Sequence, residues 1–372
     1  LGLWLGGAGG LLLALGAVFA PDRAAANLLL AGWALVGAGL AGAFVVALSY
    51  ASDATWVVAL RRVPEAMTRA LPWGAVALAL VFLLRPSLYP WTSEPVGAPG
   101  SFSRLWLSMP FYLARAVVYV SAWMLFAAAL VRNSRRQDED GDLAWTRRNA
   151  RLSAAFLVVF SLTCFLASVD WIMSLTPHWY STMFGVYNFA GLFEGGIALM
   201  IVLVAWLREH GPLRHVVTEE HLHDLGKLLF AFATFWMYIW FSQYMLIWYA
   251  NLTEETVYFL PRMRGAWLPL MMVNIALNWV VPFLVIMNRP FKRHSGVLVK
   301  VAACVLVGRW LDLYLMILPS VSPEAPPFGA SEAGGVLLAA GAFIYAWGRG
   351  FQQAAPVPTR DPFLPESLNY HS

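Results

Sequence analysis

The sequence predicts an all-α polytopic membrane protein of about ten transmembrane helices. Three observations predict it. Of 372 residues, 60% are hydrophobic and only 12% are charged, where an ordinary globular chain has about 45–50% apolar and about 25% charged residues. The mean hydropathy is +0.63. The apolar residues fall in long runs rather than short alternations, and a run of about 20 is enough to cross a bilayer as a helix. These features exclude a soluble enzyme, a disordered chain, a coiled coil and a basic nucleic-acid binder. The net charge of +4 is what loop arginines give a membrane protein, so no nucleic acid is expected as a partner.

The runs place spans at 1–19, 27–58, 65–84, 108–131, 152–175, 182–207, 225–250, 265–288, 297–319 and 333–351. The first has no basic stretch ahead of it and no initial Met, so a trimmed or upstream start is expected. Val18-Phe19-Ala20 has the small-x-small look of a processing site, which makes a signal peptide the alternative to a retained helix. The third span opens with Pro64-Glu65, a proline at the first helical position and an acid in the first turn. The charged run NSRRQDEDGDLAWTRR, 133–148, is read as a solvated connection between spans four and five. Thr218-Glu219-Glu220 is a helix start ahead of span seven. Pro282 falls inside span eight.

Lys and Arg set the orientation. Eighteen of the 25 fall in the connections around 61–69, 132–151, 208–227 and 289–300 and at Arg349 and Arg360, and five fall on the other side at Arg23, Arg85, Arg104, Arg262 and Arg264. Both termini are therefore expected in the cytoplasm, with the Pro-rich connections 85–107 and 320–332 outside.

Ionisable groups inside a bilayer are costly and turn toward a bundle interior, a partner or water. Arg115 and Asp170 lie in the outer thirds of spans four and five, where adjacent helices can pair them. Arg309 and Asp312 sit three apart on one face of span nine. Glu194 is near the middle of span six with no sequence-local partner, and Asp53 is near the cytoplasmic end of span two. These positions define a candidate proton path of Asp53, Asp170, Glu194 and Asp312, with Arg115 and Arg309 as ion-pair partners. The alternative is that the pairs only hold helices together.

All seven histidines lie in connections or at helix ends, so no span interior offers an axial haem ligand. His221-x-His223 looks like a metal pair, yet two residues apart on a helix they point to different faces. Cys164 and Cys304 stand alone in apolar runs. The chain is expected to hold no metal and no redox cofactor of its own. The outer ends of spans five and seven, DWIMSLTPHWY and QYMLIWYANLTEE, both run into short x-Leu-Thr connections rich in aromatic and polar residues. They read as equivalent elements of a repeat.

The segments SVDWIMSLTPHWYSTMFGVYNFAG, FSQYMLIWYANLTEET, NWVVPFLVIMNRPFKR and GRWLDLYLMILP, with ASDATWVVALRRVPEAM, resemble the ActF-type membrane subunit of bacterial alternative complex III, in the polysulfide-reductase membrane-subunit superfamily. The resemblance covers spans two to nine. It implies two four-helix bundles, spans two to five (27–175) and six to nine (182–319), with peripheral first and last helices and a cytoplasmic tail, 352–372. It implies a multi-pass protein of the bacterial cytoplasmic membrane. Its partners would be a related membrane subunit, an iron–sulfur subunit, subunits with c-type haem, lipids and a terminal oxidase. It implies quinone or quinol near the outer end of spans five and seven, with His178, Tyr180, Gln243 and Tyr244 as pocket equivalents. In the related membrane subunit a His stands where this chain has Tyr180, and a Glu where it has Gln243. Both replacements remove a proton acceptor near neutral pH.

The expected function is thus a quinone-associated, proton-conducting membrane subunit of a quinol oxidoreductase. The alternatives are a purely structural anchor for the redox subunits and a secondary transporter, which would favour discontinuous helices in matching places of two halves.

Overall fold

Residues 1–370 are described by a computed structural model; His371 and Ser372, the last two positions of the expected tail, lie outside the described residues. Among the described residues, ten helices are long and apolar enough to cross a membrane: α1 (Gly2–Phe19), α2 (Pro21–Ala51), α3 (Arg62–Leu84), α4 (Met109–Asp140), α5 (Leu143–Leu175), α6 (Met183–His210), α7 (Glu219–Ala250), α8 (Trp267–Ile286), α9 (Ser295–Ser320) and α10 (Ala330–Phe351). No strand occurs among the described residues. The protein is an all-α polytopic membrane protein.

Two four-helix bundles form the body. In the first, α2 packs on α3 and α5, and α4 on α5; in the second, α6 packs on α7 and α9, and α8 on α9. The bundles meet where α2 and α5 touch α6 and where α9 touches α2. Phe44 fills this seam, with its ring 4.8 Å from Phe193 and 5.2 Å from Phe160. Helices in lipid gain little from the hydrophobic effect between them, so close packing and interhelical hydrogen bonds must hold them. The peripheral pair α1 and α10 relies on close packing. It runs antiparallel, and a Cβ on Gly2 would lie 2.8 Å from the Tyr345 backbone nitrogen. This brings Leu1 and the end of α10 to one face, called here the terminal face. On the far face Arg23 Nε donates to Glu332 Oε1 (2.7 Å) and Asn27 Nδ2 donates to the same oxygen (2.9 Å), tying α2 to α10.

Several boundaries differ from the expectation, each for a local reason. The second span ends at Ala51 rather than 58. Asp53 takes a left-handed conformation (φ 50°), and the Ala54 N–H reaches back to the Ser49 carbonyl (2.9 Å). This is a Schellman-type stop, and Asp is one of the few residues that tolerates it. The charged run 133–148 is two helix ends and a corner, not a loop. Gly141, at φ 75°, ends α4, and the Asp142 carboxylate accepts from the Ala144 N–H (2.8 Å) to start α5. His221 completes a capping box with Thr218, its Nδ1 accepting from the Thr218 N–H (3.1 Å). That side chain serves the start of α7, and among the described residues no group of three or more metal-ligating side chains assembles.

The tail folds back. Asp361 pairs with buried Arg61, the Ser367 hydroxyl donates to the Trp56 carbonyl (2.8 Å), and the Ala59 N–H donates to Ser367 Oγ (3.0 Å). Arg262, read as a connection residue, is buried at the end of α9. Its Nε donates to the Leu315 carbonyl (2.7 Å), its NH2 to the Met316 carbonyl (2.9 Å) and its NH1 to the Tyr258 carbonyl (2.5 Å). A cation there satisfies carbonyls that the last helical turn leaves open. Burial pulls this guanidinium below its ordinary pKa, opposed by the neighbouring Tyr258.

Candidate functional site

Each bundle buries one aspartate among the same kinds of donor. Asp170, 1% exposed near the far-face end of α5, accepts from Arg115 Nε and NH2 (2.9 Å each) on α4. It also accepts from the Tyr119 hydroxyl (3.1 Å) and the Trp106 indole N–H (2.9 Å). Trp106 comes from a short helix, Phe102–Trp106, in the Pro-rich connection, and its ring covers the Arg115 guanidinium at 3.8 Å. Asp312, also 1% exposed, accepts from Arg309 NH1 (2.5 Å), the Trp236 indole N–H (3.3 Å), Asn274 Nδ2 (3.1 Å) and the Tyr187 hydroxyl. These donors come from all four helices of the second bundle.

The equivalence lies between α5 and α9, the fourth helix of each bundle. It does not lie between spans five and seven, whose matching outer ends belong to different places in their bundles. The shared signal was in the sequence: Asp170 precedes Pro177 by the same interval as Asp312 precedes Pro319. Each aspartate has donors enough to fill its lone pairs, which fixes the carboxylate in place.

Glu194 is different. It is fully buried on α6, and neither carboxylate oxygen has a hydrogen-bond partner. With about 1.5 Å of rise per residue, it lies roughly 17 Å from the Met183 end and roughly 24 Å from the His210 end of the helix. Arg309 and Asp312 are its electrostatic neighbours. Room for Arg309 beside α6 is made by glycine: a Cβ on Gly195 would lie 2.9 Å from Arg309 Cγ, and one on Gly191 would strike the guanidinium. In α8 a wide π turn, Ala276–Val280, precedes Pro282. Proline disrupts the helical ladder one turn back, and Asn278 Nδ2 donates to the Asn274 carbonyl (3.0 Å) and to Asn274 Oδ1 (2.7 Å). That places Asn274 against Asp312.

Asp53 does not join these groups. It is exposed in the turn after α2, because the helix stops at Ala51. The terminal-face interior of the first bundle is instead occupied by residues read as a loop and a helix start. Arg62 NH1 donates to Glu65 Oε2 (2.5 Å) and to Ser134 Oγ (3.2 Å), and Arg62 also pairs with Asp138. Arg61 donates to the Tyr50 hydroxyl (3.0 Å). Asn133 Nδ2 of α4 donates to Asn149 Oδ1 of α5 (2.9 Å). Asparagines at the two ends of the charged run were the available sign.

The four expected quinone-pocket residues do not line one cavity. His178 and Tyr180 are exposed in the α5–α6 connection. Gln243 is buried, its Nε2 donating to Ser181 Oγ (3.1 Å), and Tyr244 stacks on Trp240 at 5.5 Å. Trp240, Tyr258 and Phe259 fill the surrounding space, leaving a void of about 10 Å³. A cleft of about 440 Å³ opens elsewhere, between α3 and α4. Its wall includes Phe82, Tyr89, Tyr112, Ala116, Ser121 and Trp171, the residue next to Asp170. The Tyr89 hydroxyl donates to the Trp171 carbonyl (3.0 Å) and fixes that wall.

No protein-family model matches this chain, and no curated protein matches it in sequence.

Proposed function

We propose that this chain is a membrane subunit of a respiratory quinol oxidoreductase of the alternative complex III type, carrying no redox centre of its own. In this reading it lies in the bacterial cytoplasmic membrane with both ends inside. Iron–sulfur and haem subunits carry the electrons, a quinone associates with the α3–α4 cleft, and Glu194 of α6 conducts protons. The sequence segments of spans two to nine support the family.

One observation carries the quinone association: a membrane-depth, largely apolar cleft with aromatic walls stands beside the Asp170 cluster. Ligand sites are typically such concave apolar surfaces with few polar groups. Phe82, Tyr89 and Trp171 suit the flat faces of a ring, while Tyr112 and Ser121 offer hydroxyls. A bound quinone supplies two-electron, two-proton chemistry. Asp170, engaged by four donors, positions the Trp171 wall rather than exchanging protons.

The anchor reading has its own support, since Asp170 and Asp312 are both saturated and the resemblance puts an acid where this chain has Gln243. Ala116→Trp separates the two. In the purified complex the quinone extracted per chain should fall to below about a third of wild type. Unchanged quinone in this variant would remove it from the cleft, and a wild-type complex without quinone would leave the anchor. A transporter is disfavoured: α8 is interrupted at its π turn, but its counterpart α4 runs unbroken from Met109 to Asp140.

A further inference from the structure

Two grooves flank the terminal-face half of α4. One, of about 480 Å³, lies between the start of α3 and the end of α4, over a floor that includes Leu71, Met124 and Val131. The other, of about 430 Å³, is walled by Leu125 and Phe126 of α4 and Leu152 of α5. Ala128 and Arg132, one turn apart on α4, line both grooves.

Four arginines gather at the first groove, Arg69, Arg132, Arg135 and Arg136, against one carboxylate, Glu139. Three other arginines on this face are ion-paired: Arg61 with Asp361, Arg62 with Glu65 and Asp138, and Arg293 with Glu220. None of the four at the groove has an ion pair among the described residues. Arg69 NH2 (2.9 Å) and Arg135 NH1 (3.3 Å) both donate to Gln353 Oε1, and Arg135 NH2 donates to the Gly350 carbonyl (3.2 Å). These contacts hold two guanidinium groups in place without neutralising them, and Arg135 Nε is buried with no acceptor. Arg136 lies over the Trp145 ring at 5.4 Å. Arg132 is exposed at the ridge between the grooves.

We propose that the paired grooves bind one anionic diacyl phospholipid, its phosphate on Arg132 and Arg136 and one acyl chain in each groove. Guanidinium groups bind phosphate oxygens in a bidentate fashion, and basic pockets between membrane helices are suited to anionic headgroups. The site's two halves set the ligand. Unpaired positive charge selects an anion, and two apolar grooves meeting at one cation select a headgroup with two chains. A free phosphate would satisfy the first condition and leave the grooves open. The inference does not depend on the quinone reading, because the two clefts share no lining residue.

The test is native mass spectrometry of the full-length, delipidated chain titrated with dioleoyl phosphatidylglycerol or dioleoyl phosphatidylcholine. Phosphatidylglycerol should bind at one per chain and more tightly than phosphatidylcholine. At roughly five-fold for each arginine near the surface, Arg132→Gln with Arg136→Gln should weaken phosphatidylglycerol about 25-fold and phosphatidylcholine, whose choline offsets its phosphate, by less. The Arg132→Lys, Arg136→Lys variant should fall between the wild type and the Gln variant, because it keeps the charge and loses the bidentate fork. Ala128→Trp, on an exposed position of the ridge, should weaken both lipids. Millimolar inorganic phosphate should not displace phosphatidylglycerol. Equal affinity for the two lipids, indifference to the Gln variants, or displacement by inorganic phosphate would each overturn the proposal.

Discussion

Asp170 and Asp312 are counterparts. Each sits near the far-face end of the fourth helix of its bundle, and each is gripped by an arginine, a tyrosine hydroxyl and a tryptophan N–H. The grips differ in where the arginine comes from. Arg115 reaches across from α4, whereas Arg309 lies on the same helix as its aspartate, one turn back. In the second bundle Asn274 of α8, beside the π turn, takes the bridging role.

Asp170→Asn is expected to destabilise the protein by about 3–5 kcal/mol, the usual result of leaving one member of a buried ion pair alone. Replacing both partners, Arg115→Met with Asp170→Leu, should recover much of the loss. Thermal unfolding in detergent reads both. An Asp170→Asn protein that melts with the wild type means the pair does not hold the bundle.

Gly191→Ala should cost about 1–3 kcal/mol, because the added methyl meets the Arg309 guanidinium in a packed interior. Gly348→Ala is the opposite case. Nothing lies within 4 Å of a Cβ there, so relief of glycine's helix penalty should make it neutral or stabilising by about 0.5–1 kcal/mol. Melting temperatures that shift in the same direction would contradict this reading of Gly191.

Arg262→Met keeps the unbranched stem of the side chain and removes three hydrogen bonds to backbone carbonyls. A loss of about 2–4 kcal/mol is expected, since hydrogen bonds to charged groups contribute about 1.5–3 kcal/mol and stranded acceptors add to the cost. The measure is unfolding of the intact chain, with backbone exchange near Leu315 and Met316 as the local readout. Faster exchange confined to those residues is the outcome that fits.

The proposed topology makes a labelling prediction. A cysteine at position 140 should react with an impermeant thiol reagent only from the cytoplasmic side, and one at position 325 only from outside. Reversed labelling would invert the assignment and move the arginine-lined groove to the other leaflet.

Glu194→Gln preserves size and hydrogen-bonding capacity while removing titration. In a complex reconstituted into liposomes, fewer protons should be translocated per electron, while quinol oxidation persists when the gradient is collapsed. An unchanged ratio removes Glu194 from any proton path and strengthens the anchor reading.

The sequence by itself determined the all-α class, the ten spans and the identity of the polar residues carried into them. Those are local properties: a run of about 20 apolar residues must satisfy its backbone internally once in lipid, and the helix is the way a single segment does so. It also supplied the Arg115–Asp170 and Arg309–Asp312 pairings, one from matched depth and one from a three-residue spacing. Only the tertiary structure decided which further donors meet each aspartate, because that depends on how each helix is rotated against its neighbours. Trp106 arrives from a connection and Tyr187, Trp236 and Asn274 from three other spans, and no local pattern encodes such meetings. The same cause took Arg61 and Arg62 from an apparent loop, and Glu65 from a helix start, into the interior, whereas Asp53 is exposed for a local reason, the left-handed turn that stops α2 early. Composition says which groups enter the membrane; the packing of one helix on the next decides what they touch there.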